Sequence, residues 1–232
     1  MQQKLYKLLH EYYGNVNLHF EVEKVLKEAR RSIDYNNPFK NLVITILSQN
    51  TSDANAARAY LSLERVIGEL SPRKVFATRL EKIKRAIKVC GLYNSKARTI
   101  KNLAKYIVEN YDSDLSRLIK MPAEQARSEL LKIPGIGEKT ADVFLGYVMG
   151  HDVAPIDTHI RRVSQRLGLV RSGAKYSEIQ EALKHSFPRG KLLRGHELLI
   201  RLGRDFCKAK SPKCSECPVR SVCKFARESS IS

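Results

Sequence analysis

What the sequence has little of sets the first limits. It has only 12 glycines and 8 prolines in 232 residues, and 43% of the residues are apolar. Collagen-like repetition and intrinsic disorder are therefore excluded. Acidic residues are also scarce: 24 Asp and Glu stand against 42 Lys and Arg, a net charge of +18. No apolar run approaches the roughly 18 residues that a membrane-spanning helix needs; the longest, around 42–47 and 143–149, are the size of core segments. The start, Met1-Gln2-Gln3-Lys4-Leu5, is charged but has no apolar region or small-residue cleavage site. This argues against export and for a soluble intracellular protein.

The charge excess points to a polyanionic partner. Nucleic acid is the commonest polyanion met inside a cell, although a merely soluble basic surface would share the composition. Five cysteines are present, an odd number that does not suit a disulfide framework. Cys90 lies in the apolar stretch Ile87-Lys88-Val89-Cys90 and reads as a small buried thiol.

Helical periodicity runs through the chain. Leu5, Leu8, Leu9 and Tyr12 share a face, as do Phe20, Val22, Val25, Leu26 and Ala29. Ser71-Pro72 reads as an N-cap followed by proline at the first helical position. Asn94 or Ser95 is expected to cap a long helix, and Pro122 to open another that ends near Ile133. Further helices are expected over 138–149, 158–167, 177–186 and 192–206. No period-2 alternation or hairpin signal appears, so the fold class is all-α with ten or more helices. Breaks at 30–37 and 150–155 suggest two domains, a central helical one over 31–151 and a second built from 1–30 and 152–232.

Near the C-terminus, Cys207-x6-Cys214-x2-Cys217-x5-Cys223 offers four soft thiolates from a loop punctuated by Pro212 and Pro218. Such a set can close around Zn²⁺ or a [4Fe–4S] cluster. Structural zinc usually arrives as two CxxC pairs, so the uneven spacing suits the larger cubane better. Lys208, Lys210 and Lys213 would let the same loop meet phosphate.

Between two apolar-periodic helices lies Ile133-Pro134-Gly135-Ile136-Gly137-Glu138-Lys139-Thr140-Ala141. Gly135 and Gly137 would let backbone approach a ligand, and the amides of the next helix would hold an anion such as DNA phosphate. A tight interhelical turn is the plainer reading, and the net charge favours phosphate. Lys139 would stand in the first turn of that helix, where the macrodipole disfavours a cation. The same field, with desolvation, would raise the neutral amine fraction that a nucleophile needs. Asp157, in Pro155-Ile156-Asp157-Thr158-His159, sits where a helix starts and would serve equally as an N-cap.

With these residues in place, the sequence resembles the endonuclease III family, within the helix–hairpin–helix DNA glycosylase superfamily. The resemblance covers nearly the whole chain. It rests on the hairpin segment, on Ile156-Asp157-Thr158-His159-Ile160, on Gly91-Leu92-Tyr93-Asn94-Ser95-Lys96-Ala97, and on the terminal cysteine spacing. It implies a six-helix barrel domain and a domain holding a [4Fe–4S] cluster on Cys207, Cys214, Cys217 and Cys223. It implies a bifunctional glycosylase and AP lyase of base excision repair that excises oxidised pyrimidines and nicks the abasic site. Lys139 matches the nucleophile and Asp157 the essential carboxylate. The implied partner is double-stranded DNA bearing damaged bases or abasic sites, bound by a monomer in the cytoplasm or nucleoid without a membrane. Gly135, Gly137, Thr158 and His159 match DNA contacts, and Leu92 matches a wedge that enters the base stack. Leu47-Ser48-Gln49-Asn50-Thr51-Ser52-Asp53 matches the segment whose Gln fills the gap left by the everted base. Here Asn50 takes that place and Gln49 stands one residue earlier. Monofunctional glycosylases of this fold lack the hairpin lysine, and a non-catalytic DNA-binding protein would need neither Lys139 nor Asp157.

Overall fold

The computed structural model describes residues 2–14, 20–29 and 32–228. Among them there are helices and turns but no strand. The chain divides into two compact units, one of residues 1–18 with 152–232 and one of residues 19–151.

The terminal unit opens with α1 (Gln2–Tyr13). The central unit holds α2 (Phe20–Glu28), α3 (Pro38–Leu47), α4 (Asp53–Ile67), α5 (Pro72–Ala77), α6 (Leu80–Ala86), a 3₁₀ turn (Lys88–Cys90), α7 (Tyr93–Tyr111), α8 (Ser116–Ile119), α9 (Ala123–Leu131) and α10 (Glu138–Tyr147). The terminal unit is completed by α11 (Thr158–Leu167), α12 (Tyr176–Ser186), α13 (Leu192–Asp205), a 3₁₀ turn (Arg220–Val222) and α14 (Lys224–Glu228).

The helix starts follow local chemistry. The Asn37 side chain accepts from the Lys40 amide at 3.0 Å, and Pro38 takes the first helical position of α3. Ser71 accepts from the Lys74 amide and precedes Pro72 in the same way. Each such cap satisfies an amide that has no partner within its helix. The apolar run at 42–47 becomes α3, whose Leu42, Val43, Ile44, Ile46 and Leu47 are all buried. A helix apolar on all sides belongs at the middle of its unit. It packs on α4, α7 and α10. Leu63, Ile83, Ile87, Ile100, Leu103 and Phe144 of the same unit are also fully buried.

The start of α7 differs from the sequence expectation. Its N-cap is Leu92, in left-handed backbone with φ 46°, and no side chain caps the helix. Asn94 and Ser95 lie inside the first turn, where the Ser95 hydroxyl donates back to the Leu92 carbonyl at 2.9 Å. The unit boundary also falls elsewhere than at 30/31. Helix α2 belongs to the central unit and packs on α4.

The terminal unit has its own core. Leu5 and Leu9 of α1 share it with Ile160 and Val163 of α11, Ile179 and Leu183 of α12, and Leu198, Leu199 and Leu202 of α13. Val219, Cys223 and Ala226 extend the same core to the cysteine loop.

Candidate functional site

The central unit presents a hairpin between α9 and α10. Ile133 and Ile136 are buried, and the Ile136 amide closes the turn on the Ile133 carbonyl at 3.0 Å. Gly135 has φ +96°, and a Cβ there would lie 2.0 Å from Thr99 Oγ1. Only glycine satisfies both conditions. Asn102 Nδ2 adds a bond to the Pro134 carbonyl at 3.3 Å, so the turn sits directly on α7. Gly137 is different. Its backbone is extended (φ −104°, ψ 178°), and a Cβ there would meet nothing within 4 Å. As the N-cap of α10 it brings no capping side chain, which leaves that helix end open on the hairpin surface.

Lys139 is the second residue of α10 and is half-buried. The residues around it are tied down. Arg127 Nε meets the buried Asp142 carboxylate at 2.8 Å and Arg127 Nη2 reaches Glu138 at 3.2 Å, locking α10 to α9. Gln49 Nε2 donates to Thr140 Oγ1 at 3.1 Å, joining the loop after α3 to the residue beside Lys139. Asn50, next in that loop, is exposed with φ 49°. Leu92 is 58% exposed, unlike a core leucine.

In the terminal unit, Asp157 is the N-cap of α11, and its Oδ1 accepts from the Ile160 amide at 2.7 Å. One carboxylate oxygen is thereby oriented by the backbone. Thr158 is exposed. His159 is half-buried against α13, where Gly203 leaves room for its ring. Its Nδ1 faces Arg162 Nη2 at 3.1 Å. Burial pushes the His159 pKa below its ordinary value, Arg162 and Arg204 add to the shift, and Asp157 opposes it.

The cysteine loop is held by its backbone and by two arginines of α11. Cys207 and Lys213 amides bond to the Leu202 and Phe206 carbonyls at 2.8 and 2.9 Å. Arg162 Nε donates to the Cys207 carbonyl at 2.8 Å. Arg166 Nη1 donates to the Lys208 carbonyl at 2.6 Å and reaches Cys207 Sγ at 3.5 Å. Among the described residues no group of three or more His, Cys, Asp or Glu side chains is arranged to hold a single metal ion. The four thiols do sense one another: burial first, then the charges of Cys223, Cys207 and Cys214, push the Cys217 thiol up to about 11. A donor set that resists ionising by itself is stabilised as thiolates by a cationic metal core. Soft sulfur ligands of this kind, with a guanidinium beside them, fit an iron–sulfur group.

Residues 43–189 match the HhH-GPD superfamily of base excision DNA repair proteins, and residues 207–223 match the iron–sulfur binding domain of endonuclease III. Endonuclease III of Sulfolobus acidocaldarius is 43% identical over 189 residues, covering 82% of each chain. That of Bacillus subtilis is 34% identical over 204 residues, covering 88% of this chain and 89% of its own. The chain belongs to the endonuclease III family. Its structure also matches a solved non-covalent endonuclease III–DNA complex with TM-score 0.81 at 28% identity, over 100% of this chain and 98% of that one. As a member of the endonuclease III family the chain is a base-excision repair enzyme of the DNA glycosylase/AP lyase class, and its cofactor is a [4Fe–4S] cluster. No helix among the described residues is long and apolar enough to cross a membrane.

Proposed function

We propose that this chain is a bifunctional enzyme that excises oxidised pyrimidines from double-stranded DNA and then nicks the abasic site through a Schiff base on Lys139. The observation that carries the reading is the location of this lysine. It stands at the second position of α10, behind a Pro-Gly-x-Gly hairpin braced on α7. A free helix start favours an anion over a cation by about 0.3–1 kcal/mol, so a phosphate suits the open end of α10 and a neutral amine suits Lys139.

A damaged base inside a duplex is out of reach and must be everted. The neutral Lys139 Nζ attacks C1′ of the deoxyribose, and the C1′–N glycosidic bond breaks; the amine gives up one proton and the departing base takes one up by way of water. Breaking of the C1′–O4′ bond, with a proton from water taken up by O4′, gives an iminium in which the C2′ proton is acidic. Loss of that proton expels the 3′ phosphate, and water hydrolyses the imine to free the lysine. Asp157, which matches the family's essential carboxylate, stabilises the positive charge that develops on the sugar. Its N-cap bond fixes one oxygen while the other remains for this work. Gly135, Gly137, Thr158 and His159 contribute to DNA contact, and Gln49, Asn50 and Leu92 to opening the stack. Cys207, Cys214, Cys217 and Cys223 would hold the cluster, which braces the basic loop carrying Lys208, Lys210 and Lys213. The enzyme acts as a monomer at the nucleoid.

The test is borohydride trapping on duplex DNA with one abasic site. The intact protein is expected to give a covalent adduct and Lys139→Gln none. An undiminished adduct in that variant would reassign the nucleophile, and no adduct from the intact protein would favour a monofunctional glycosylase or a non-catalytic DNA-binding protein. Excision from a panel of lesion-bearing duplexes tests the pyrimidine preference.

A further inference from the structure

Of the non-glycine residues with left-handed backbone in the central unit, Asp112 and Ser113 follow α7, and two others lie in the loops matched above to opening of the base stack. Asn50 has φ 49° and Leu92 has φ 46°. Such conformations persist in L-residues only where the surroundings hold them. One side chain reaches both loops. Lys96, 2% exposed, donates from Nζ to the Leu47 carbonyl at 2.8 Å and to the Cys90 carbonyl at 2.8 Å. Leu47 is the last residue of α3, directly before the Gln49–Asn50 loop. Cys90 ends the 3₁₀ turn directly before Gly91-Leu92.

A buried lysine is rare unless paired. Here its partners are carbonyls at the C-terminal ends of two helical segments, where the backbone carries partial negative charge. Burial pushes the Lys96 pKa down, and the neighbouring Cys90 thiol works against that shift. Lys96 lies one turn beyond Leu92 on α7, and its amide bonds to the Leu92 carbonyl at 3.0 Å. A further turn on, Thr99 meets the hairpin at Gly135. One helix thus gathers the gap loop, the wedge loop and the hairpin that bears Lys139.

We propose that Lys96 is a positioning residue for base eversion, a single buried cation that fixes the Gln49–Asn50 loop and the Leu92 loop at one separation so that both enter the duplex together. This rests on the reading above that these loops open the stack. A lysine meant for phosphate would face solvent. This one directs two bonds to backbone at the roots of the two loops, and a further one to the buried Cys90 thiol.

Lys96→Met keeps an unbranched apolar stem, one atom shorter, and removes the donors. Single-turnover excision of a lesion from a fully paired duplex is expected to slow about 100-fold. The same lesion in an unpaired bubble should be cleaved at close to the wild-type rate, because no stack has to be opened. Fluorescence of 2-aminopurine beside an abasic site should rise with the wild type and stay low with the variant, and Lys96→Arg should recover part of both signals. Equal slowing on paired and bubble substrates, or no slowing on either, overturns the proposal. Leu92→Ala separates it from the reading beneath. If Leu92→Ala is unimpaired on paired DNA, the wedge itself is wrong. If Leu92→Ala is impaired and Lys96→Met is not, only the role of Lys96 fails. Should Lys96→Met lose its helical signal, hydrogen exchange of the wild type decides. The Ser48, Gln49, Cys90 and Gly91 amides, bonded to the Ile44, Ile46, Ile87 and Lys88 carbonyls, should be protected without DNA. Rapid exchange at either loop would show that this loop is not held in advance and would overturn the proposal.

Discussion

The Thr99 hydroxyl occupies the space where a side chain on Gly135 would begin, 2.0 Å from the position of its Cβ. The hairpin approaches α7 this closely only because residue 135 has no side chain and can adopt φ +96°. Gly135→Ala is therefore expected to cost about 2–4 kcal/mol, the sum of a left-handed backbone and an overpacked contact. Urea unfolding measures this. Thr99→Ala in the same background should return part of the loss, since it removes the two nearest atoms, Oγ1 and Cγ2, while the backbone strain remains. Full recovery would mean that the left-handed backbone costs nothing there.

The Arg127 fork separates a buried ion pair from an exposed one. Asp142 has 1% of its side chain exposed, and Glu138 has 47%. Asp142→Ala removes the buried partner of the guanidinium, which keeps Glu138 and some solvent, and should destabilise by about 1–3 kcal/mol. Glu138→Ala should cost no more than about 1 kcal/mol. Similar losses from the two variants in thermal or urea unfolding would contradict this division.

His159 sets a pH dependence for the terminal unit. Its native pKa lies below the ordinary value because burial disfavours the imidazolium, with Arg162 and Arg204 adding repulsion and Asp157 opposing. The folded chain therefore binds fewer protons than the unfolded one, and stability rises with pH. The contribution is complete above the unfolded value of about 6.5 and is lost as pH falls through the lower native one. Histidine NMR should show His159 titrating below 6.5, and Arg162→Leu should move it upward. His159→Gln should flatten the acid side of the stability profile.

The two neighbours in the gap loop are distinguished by their contacts. Gln49 is committed to Thr140, whereas Asn50 is exposed at the tip. Asn50→Gly removes the side chain and keeps the left-handed backbone. Binding assays with each of the four bases opposite an abasic site should show that this variant loses discrimination while stability is unchanged. If Gln49→Ala loses discrimination instead, the assignment reverses.

Binding to DNA should weaken steeply with salt. With a net charge of +18 and an open helix end on the hairpin, phosphate contacts release counterions, and the logarithm of the binding constant should fall linearly with the logarithm of salt concentration. Lys208→Ala and Lys210→Ala should each reduce that slope if the cysteine loop meets phosphate. A slope unchanged by both would place the contacts elsewhere.

Much was readable from the chain alone because it is encoded within a turn or two. Helix periodicity, the cap at Ser71-Pro72, the glycine-bearing hairpin and the spacing of the four terminal cysteines are local patterns, and an all-α fold follows from them. The apolar run at 42–47 reads as a core segment for the same reason, but neither its helix nor the Asn37 cap before it is legible there. Other features join residues far apart in sequence. That Leu92 is exposed and starts α7, that α2 sides with the central unit, that Gly135 but not Gly137 is sterically required, and that Lys96 turns inward to the roots of two loops depend on which helices meet. Composition and periodicity specify which residues seek burial, but a lysine at a helical position reads as solvated until packing closes water out and backbone carbonyls replace it.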